Sequence, residues 1–255
     1  MAARRLRWDG AVVVVTGASR GIGRAVASAA ADRGAHVGGI ARTPLEGLAH
    51  RVADVADRDQ VTAAVGALER ELGPVDILVA NAGIGLYGPF ADAAIEDIER
   101  LVQVNVLGTV YPVKAVLPGM IERRRGHVVI VSSVAGRFGA PFEAAYAATK
   151  FAQIGLAEAI SVELSGSGVG VTVIDPAVVR TSFFEARGHA YERPFPRPMP
   201  PERVAAAVMR AVERDRLETF VPRSYAAAVA VRHVAPRLYA WGTRLAFRRE
   251  LRPGS

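Results

Sequence analysis

The sequence predicts a single-domain, doubly wound α/β fold, a mostly seven-stranded parallel sheet with helices on both faces. Three observations predict it. Apolar runs of strand length alternate with helical patterns along nearly the whole chain. Runs such as Asp76-Ile77-Leu78-Val79-Ala80 and His127-Val128-Val129-Ile130-Val131 are almost wholly apolar, as strands buried on both faces must be. The first run ends in a glycine-rich turn that opens a helix.

The first strand covers 11–15, five apolar residues in succession. The turn Thr16-Gly17-Ala18-Ser19-Arg20-Gly21-Ile22-Gly23 follows. Ile22, Ala25, Val26 and Ala29 then recur at helix spacing and predict a helix over 22–33. Further strands are predicted at 35–40, 51–53, 76–80, 127–132, 169–174 and 219–221, and further helices at 58–72, 93–119, 146–164 and 201–214. Eleven residues separate Arg42 from Asp54, which predicts a short second helix of about two turns. Residues 8–180 form the predicted core, and 181–214 the region beside a substrate. Within it, 181–200 holds Phe183, Phe184, Tyr191, Phe195 and the prolines Pro194, Pro196, Pro198 and Pro200. Prolines deny it a regular helix or central strand, and it reads as a mobile apolar lid. The tail, 222–255, mixes Tyr225, Val229, Val231, Leu238, Tyr239, Trp241, Leu245 and Phe247 with arginines and reads as a helix broken near Pro236. Packing on its own body or a neighbouring subunit is the favoured reading. A basic amphipathic segment lying on a membrane is the other.

Composition excludes several chemistries. The 255 residues include no cysteine, so disulfides, thiolate metal sites and cysteine nucleophiles are out. The histidines at 36, 50, 127, 189 and 233 have no metal-ligand spacing, and no metal is expected. The net charge of +7 is spread over clusters at Arg4/Arg5/Arg7, Arg123/Arg124/Arg125 and Arg248/Arg249. No basic stripe with stacking aromatics accompanies it, so no nucleic-acid partner is expected. Neither a secretory h-region nor a stretch of about 20 apolar residues stands out, and the expectation is a soluble cytoplasmic protein.

The glycine-rich turn is a pyrophosphate-binding device. Its glycines allow close backbone approach, and the helix N-terminus offers N–H groups and positive potential. Tyr146 and Lys150 lie four apart on one helix face. An ammonium beside a phenol stabilises the phenolate and suits the phenol to proton exchange with a carbonyl or alcohol oxygen. Ser133, at the end of a buried strand, points toward the crevice where such sheets bind ligands. Asn81-Ala82-Gly83 ends another strand, and Asn105 sits within a helical run.

Together these pieces resemble the classical short-chain dehydrogenase/reductase family, a Rossmann fold. The matching residues are Thr16-Gly17 through Gly21 and Gly23, Asp54-Val55, Asn81-Ala82-Gly83, Asn105, Ser133, Tyr146 with Lys150, and Asp175-Pro176 with Thr181, in family order across 11–181. The resemblance implies Tyr146 as the catalytic acid/base and Ser133 as a donor to the substrate oxygen. Lys150 would bind nicotinamide ribose hydroxyls and lower the tyrosine pKa. Asn105 would position a water that links Lys150 to solvent. Gly17, Gly21 and Gly23 would admit the pyrophosphate, Asp54 and Val55 would meet the adenine, and Asn81 and Gly83 would line the adenosine ribose. Thr181 would reach the cofactor's carboxamide or phosphates. Ser19, Arg20, Ile22, Ala82, Pro176 and Val179 complete the implied cofactor-binding set. The family also implies a homodimer or homotetramer built on the helices at 93–119 and 146–164.

The second strand ends Ala41-Arg42-Thr43, without the acid that would take the 2′-hydroxyl of NAD. Arg42 and Arg20 suit a 2′-phosphate, so NADP(H) is the expected cofactor. Tyr87, Phe90, Phe138 and Phe142 flank the site residues and predict an apolar cleft mouth. The expected substrate is a hydrophobic ketone, aldehyde or secondary alcohol, with Arg137 the candidate clamp for any carboxylate. The alternative is a nucleotide-binding regulator that keeps the fold without the chemistry. The presence of both Tyr146 and Lys150 argues against it.

Overall fold

The computed structural model describes residues 6–192, 196–248 and 250. Arg4, Arg5, Pro194, Phe195, Arg249 and residues 251–255 lie outside the described residues. The chain opens with β1 (Val12–Thr16), α1 (Gly21–Ala31), β2 (His36–Ala41), β3 (Ala49–Val52), α2 (Arg58–Leu72) and β4 (Ile77–Ala80). A long helical run follows in three parts: α3 (Ile95–Leu101), a π-helical segment (Val102–Leu107) and α4 (Gly108–Glu122). Then come β5 (Gly126–Val131), α5 (Ala144–Glu163), β6 (Val169–Pro176), the single turn α6 (Phe183–Ala186), α7 (Pro201–Glu213), β7 (Glu218–Val221), α8 (Tyr225–Val234) and α9 (Pro236–Ala246).

Among the described residues seven strands form one parallel sheet in the order β3-β2-β1-β4-β5-β6-β7. Strand residues alternate between the faces. Val13, Val15, Val79, Val129 and Val131 pack beneath α1 and α7. Val14, Leu78, Ala80, Val128 and Ile130 pack beneath α2, α4 and α5. Each such side chain contributes about 1.5–3 kcal/mol when fully buried, so an apolar strand is stable only with both faces covered. The strand order reverses between β1 and β4, which opens a crevice beyond their C-terminal ends.

The short second helix does not form. Residues 42–48 run as irregular chain between β2 and its parallel neighbour β3. Parallel crossovers ordinarily take about a dozen residues and a helix. Here Pro44 and Gly47 disfavour a helix, and Leu45 replaces it as a plug. Leu45 is buried in the layer under α1 while residues 42–44 and 46–47 are exposed. The fit requires Gly39 on β2, because a Cβ there would stand 2.3 Å from Leu45 Cδ1.

The helical run Ile95–Glu122 is 28 residues long and, by length and composition, apolar enough to cross a membrane, which the sequence reading did not anticipate. Its inner side, including Leu101, Val104, Val113, Val116 and Met120, is buried in the protein's own core. The tail is two helices that meet at Ala235 and Pro236, as the sequence predicts.

Leu45→Ala should lower unfolding free energy by about 2–4 kcal/mol, because a buried plug is removed and its cavity cannot collapse onto a strand. Urea denaturation against the parent protein measures this, and a loss under about 1 kcal/mol would show that the crossover is held by something else.

Candidate active site

The glycine-rich turn lies at the point where the strand order reverses. Gly17 and Gly21 have positive φ, +67° and +57°, and turn the chain from β1 into α1. Gly23 admits no side chain: a Cβ would stand 2.3 Å from Gly17 O and 2.5 Å from Asn81 Nδ2. The N-cap residue Arg20 makes no side-chain cap bond among the described residues, and no acid occupies the first turn of α1. The helix therefore presents its first N–H groups and its positive end to the crevice, a donor set that fits a pyrophosphate. Thr181, beyond β6, packs its methyl against Gly21.

Asn81 and Thr16 join the two diverging strands. Thr16 Oγ1 accepts from the N–H groups of Asn81 and Ala82 at 3.0 and 3.1 Å. Asn81 Nδ2 donates to Thr16 O at 3.0 Å. The Asn81 side chain is thus engaged in joining the ends of β1 and β4.

The proposed proton-transfer residues converge beyond β4 and β5. Tyr146 and Lys150 lie on the buried side of α5. Lys150 Nζ donates to Val131 O at 3.1 Å and to Gln153 Oε1 at 2.9 Å, and lies 5.6 Å from the Tyr146 ring centroid. Ser132 Oγ donates to Lys150 O at 3.1 Å and so fixes the end of β5 against α5. Ser133 Oγ accepts from Ala135 N at 3.1 Å, at the start of a 3-10 turn over Val134–Gly136. Asn105, fully buried in the π-helical segment, accepts from Ile84 N at 2.9 Å and donates to Ile84 O and Thr149 Oγ1, each at 3.0 Å. Gly83 sits between Asn105 Oδ1 and Lys150 Nζ.

Two features here lie outside what spacing alone shows. Burial pushes the Tyr146 phenol up to about 12, against a smaller downward pull from the Ser133 hydroxyl. Lys150 shares the face of Tyr146, as its spacing predicts, with two of its N–H groups donated to Val131 O and Gln153 Oε1. Burial also pulls Lys150 down to about 8, opposed by the charge of Asp175. Secondly, Gln153, one turn beyond Lys150, had not been singled out. Its Nε2 donates to Asn105 O at 2.8 Å and to Thr109 Oγ1 at 2.7 Å. A polar residue on the buried stripe 146, 150, 153 of an alanine-rich helix was the available signal.

Asp54, the residue expected at the adenine end, is held by a contact the sequence did not reveal. Asp54 Oδ2 accepts from Arg100 at 2.6 Å and Oδ1 from Ala56 N at 3.0 Å. Burial pushes the Asp54 carboxyl up, but Ala56, Arg100 and the charge of Arg42 outweigh it and hold it below the usual carboxylate range. Arg42 and Arg20 are both exposed at the edge of the turn. Val55 is buried against Gly108 of α4. β6 runs two residues past the predicted 174, so that Pro176 ends the strand opposite Val221 of β7, and Val179 follows it, bridged to Met199.

Arg137 does not serve as a carboxylate clamp. Its three nitrogens are taken by Asp175 at 3.0 Å, Glu158 at 2.8 Å and Glu218 at 2.8 Å. The cleft mouth is aromatic. Phe183 lies 5.6 Å from the Tyr146 ring and against Gly85. Arg187 is paired with Glu143 and stacked over Tyr87 and Phe184 at 4.7 and 4.6 Å. Tyr225 and Tyr239 of the tail pack on Phe138, and Phe247 on Phe142. No group of three or more His, Asp or Glu placed to hold a metal occurs among the described residues.

The family model described as short chain dehydrogenase matches residues 11–192. Oxidoreductase UcpA of Escherichia coli (strain K12) is 37% identical over 221 residues, covering 82% of each chain. The 3-ketodihydrosphingosine reductase of Bos taurus is 40% identical over 197 residues, 70% of this chain and 59% of that one. Glycine betaine reductase ATRR of Emericella nidulans is 42% identical over 186 residues, 68% of this chain but 15% of that protein. The chain therefore spans well under two thirds of these last two relatives. Among solved structures, a short chain dehydrogenase/reductase from Burkholderia phymatum in complex with NAD superposes with a TM-score of 0.82 at 26% identity, covering 91% of this chain and 96% of that one. An alcohol dehydrogenase from Thermococcus sibiricus complexed with 5-hydroxy-NADP gives a TM-score of 0.73 at 25% identity, covering 82% and 95%.

Thr16→Val should destabilise the fold by about 2 kcal/mol, since two half-buried N–H groups lose their acceptor while the side-chain volume is kept. Urea unfolding measures it, and an unchanged midpoint would show that the β1–β4 ladder and Asn81 suffice without the Thr16 hydroxyl.

Proposed function

Because the chain belongs to the short-chain dehydrogenase family, we propose that it is an NADP(H)-dependent oxidoreductase interconverting a hydrophobic ketone or aldehyde and its alcohol. The observation that carries this reading is the buried pair Tyr146 and Lys150, set beside Ser133 and Asn105 and next to the glycine-rich turn.

A bound nicotinamide supplies or accepts the hydride, and the chain's part is the proton. Tyr146 carries its proton at neutral pH, burial favouring the neutral phenol, and is placed to act as the acid. In reduction its hydroxyl gives a proton to the substrate oxygen as negative charge develops there. The Ser133 hydroxyl donates a second hydrogen bond to the same oxygen. The Lys150 ammonium stabilises the phenolate left behind. Gly17, Ser19, Gly21, Ile22, Gly23, Asn81, Ala82, Gly83, Pro176, Val179 and Thr181 would hold the dinucleotide along the crevice, with Asp54 and Val55 at its adenine end.

The preference for NADP(H) rests on Arg42 and Arg20 at the edge of that crevice and on the missing acid after β2. The solved relatives include both NAD and 5-hydroxy-NADP complexes, so the choice lies with these local residues. The apolar substrate follows from the ring-lined mouth and from Arg137 and Arg187 being paired with the protein's own acids. A relative named as a reductase of 3-ketodihydrosphingosine agrees with a carbonyl substrate. The assembly is a homodimer or homotetramer in the cytoplasm, packed through the outer sides of the 95–122 run and α5, where Val102, Ile121 and Val162 are exposed. Light scattering at the 27.0 kDa monomer mass would rule that assembly out.

Fluorescence titration should show NADPH binding tightly and NADH weakly. Arg42→Ala should weaken NADPH about tenfold, the effect of losing one charge-assisted contact, and leave NADH unchanged. Tyr146→Phe should keep NADPH binding and lower carbonyl turnover by about 10²–10⁴-fold. Equal binding of NADH by the parent protein would overturn the cofactor choice, and unimpaired turnover in Tyr146→Phe the catalytic one.

A further inference from the structure

Gln153 ties the Lys150 ammonium to a helix carbonyl. The π-helical segment widens the helix at Asn105, and side chains reach the Asn105 carbonyl from two sides. Thr109 Oγ1 donates to it at 2.8 Å, and Gln153 Nε2 at 2.8 Å. Because the Thr109 proton points at Asn105, its oxygen is left to accept from Gln153 Nε2 at 2.7 Å. Gln153 Oε1 then faces Lys150 Nζ at 2.9 Å. All four residues are almost fully buried, at 0–4% exposure.

The network fixes the orientation of the amide. Turned over, Oε1 would face the Asn105 carbonyl and the NH₂ group would face the ammonium, and both contacts would be repulsive. The bridge also occupies the place where the family resemblance puts a water between Lys150 and Asn105. A water there could pass protons. A carboxamide has no proton to give up near neutral pH.

We propose that Gln153 is a positioning residue that holds Lys150 as an ammonium beside Tyr146 and replaces a water link toward Asn105 with a bridge that conducts no proton. The ammonium needs it: a desolvated cation with one acceptor fewer loses its proton more readily. Protons that replenish Tyr146 then enter from the cleft side. Any effect on rate rests on the Tyr146–Lys150 reading above, whereas the effect on the charge of Lys150 does not.

The sequence offers a direct probe, since Lys114 and Lys150 are its two lysines. Lysine labelled with ¹³C at Cε gives two titrating NMR signals, with Lys114, exposed on α4, as the internal reference. Gln153→Met keeps the volume and removes the amide. It should lower the Lys150 midpoint by about one pH unit. Gln153→Ala opens a space bordered by Lys150 Nζ, Asn105 O and Thr109 Oγ1, partners enough for one water. Its midpoint should stay within about 0.3 units of the parent. A packing role predicts the opposite ranking, with Ala the more damaged, and thermal unfolding of both variants reports that separately. In alcohol oxidation, which needs the phenolate, the rising limb of the pH–rate profile should move to higher pH for Met. It should move little for Ala. An unmoved Lys150 midpoint in Gln153→Met, or an equal fall in Gln153→Ala, would overturn the proposal. Failure of NADPH binding or turnover would instead strike the functional reading and leave the lysine titration to decide this one.

Discussion

The structure depends on how β1 and β4 are held where the strand order reverses. Strands that diverge in connection leave N–H and C=O groups facing a crevice instead of another strand, and buried groups of that kind must find partners. Thr16 and Asn81 supply them, hydroxyl to two N–H groups and amide to a carbonyl. The crevice can then stay open without unpaired backbone. The positive end of α1 faces into it because the glycine-rich turn leaves no room to place the helix elsewhere: Gly23 already touches Gly17 O and Asn81. Anion binding at this point is a consequence of sheet topology and of two polar side chains.

The same economy governs the acid–base residues. A buried ammonium is costly unless every neighbour favours it. Lys150 is surrounded by the Val131 carbonyl, the Gln153 amide and the more distant charge of Asp175. Asp175 is in turn buried, with one oxygen on Arg137 and the other unpartnered among the described residues, and burial pushes its carboxyl up to about 6 against the pull of Arg137. In this region burial opposes both charges while each favours the other. Such a balance serves proton transfer better than it serves stability.

Much of this was legible in the chain because the signals are local. Strand runs, helix periodicity, the glycine turn and the 146, 150 spacing each lie within one or two elements, and the structure places all of those elements as read. What escaped was set by distant partners. Counting eleven residues between Arg42 and Asp54 was correct, but a helix there loses to Pro44, Gly47 and the pocket that Gly39 leaves for Leu45. Spacing put Lys150 on the face of Tyr146 without showing which acceptors take its protons. Arg137 looked available because its three acidic partners come from α5, β6 and β7. Arg100, which holds Asp54, is likewise remote in sequence.

The cleft mouth shows how the last part of the chain contributes to chemistry that ends many residues earlier. Phe183 covers Tyr146, Arg187 clamps the segment after it to Glu143, and Tyr225, Tyr239 and Phe247 brace the aromatic rim from the tail. The outer side of the tail, Val234, Leu238, Trp241 and Leu245, stays exposed, so packing on the body accounts for one side of it and leaves the other unpartnered among the described residues. The Phe183 ring, tilted against that of Tyr146, forms part of the wall beside the phenol. An apolar group placed there would meet rings and lose little hydration. A charged substrate would face rings with Arg137 and Arg187 already neutralised, and nothing in the mouth would offset its lost hydration. The apolar character of the mouth follows from what it has already paired as much as from what lines it.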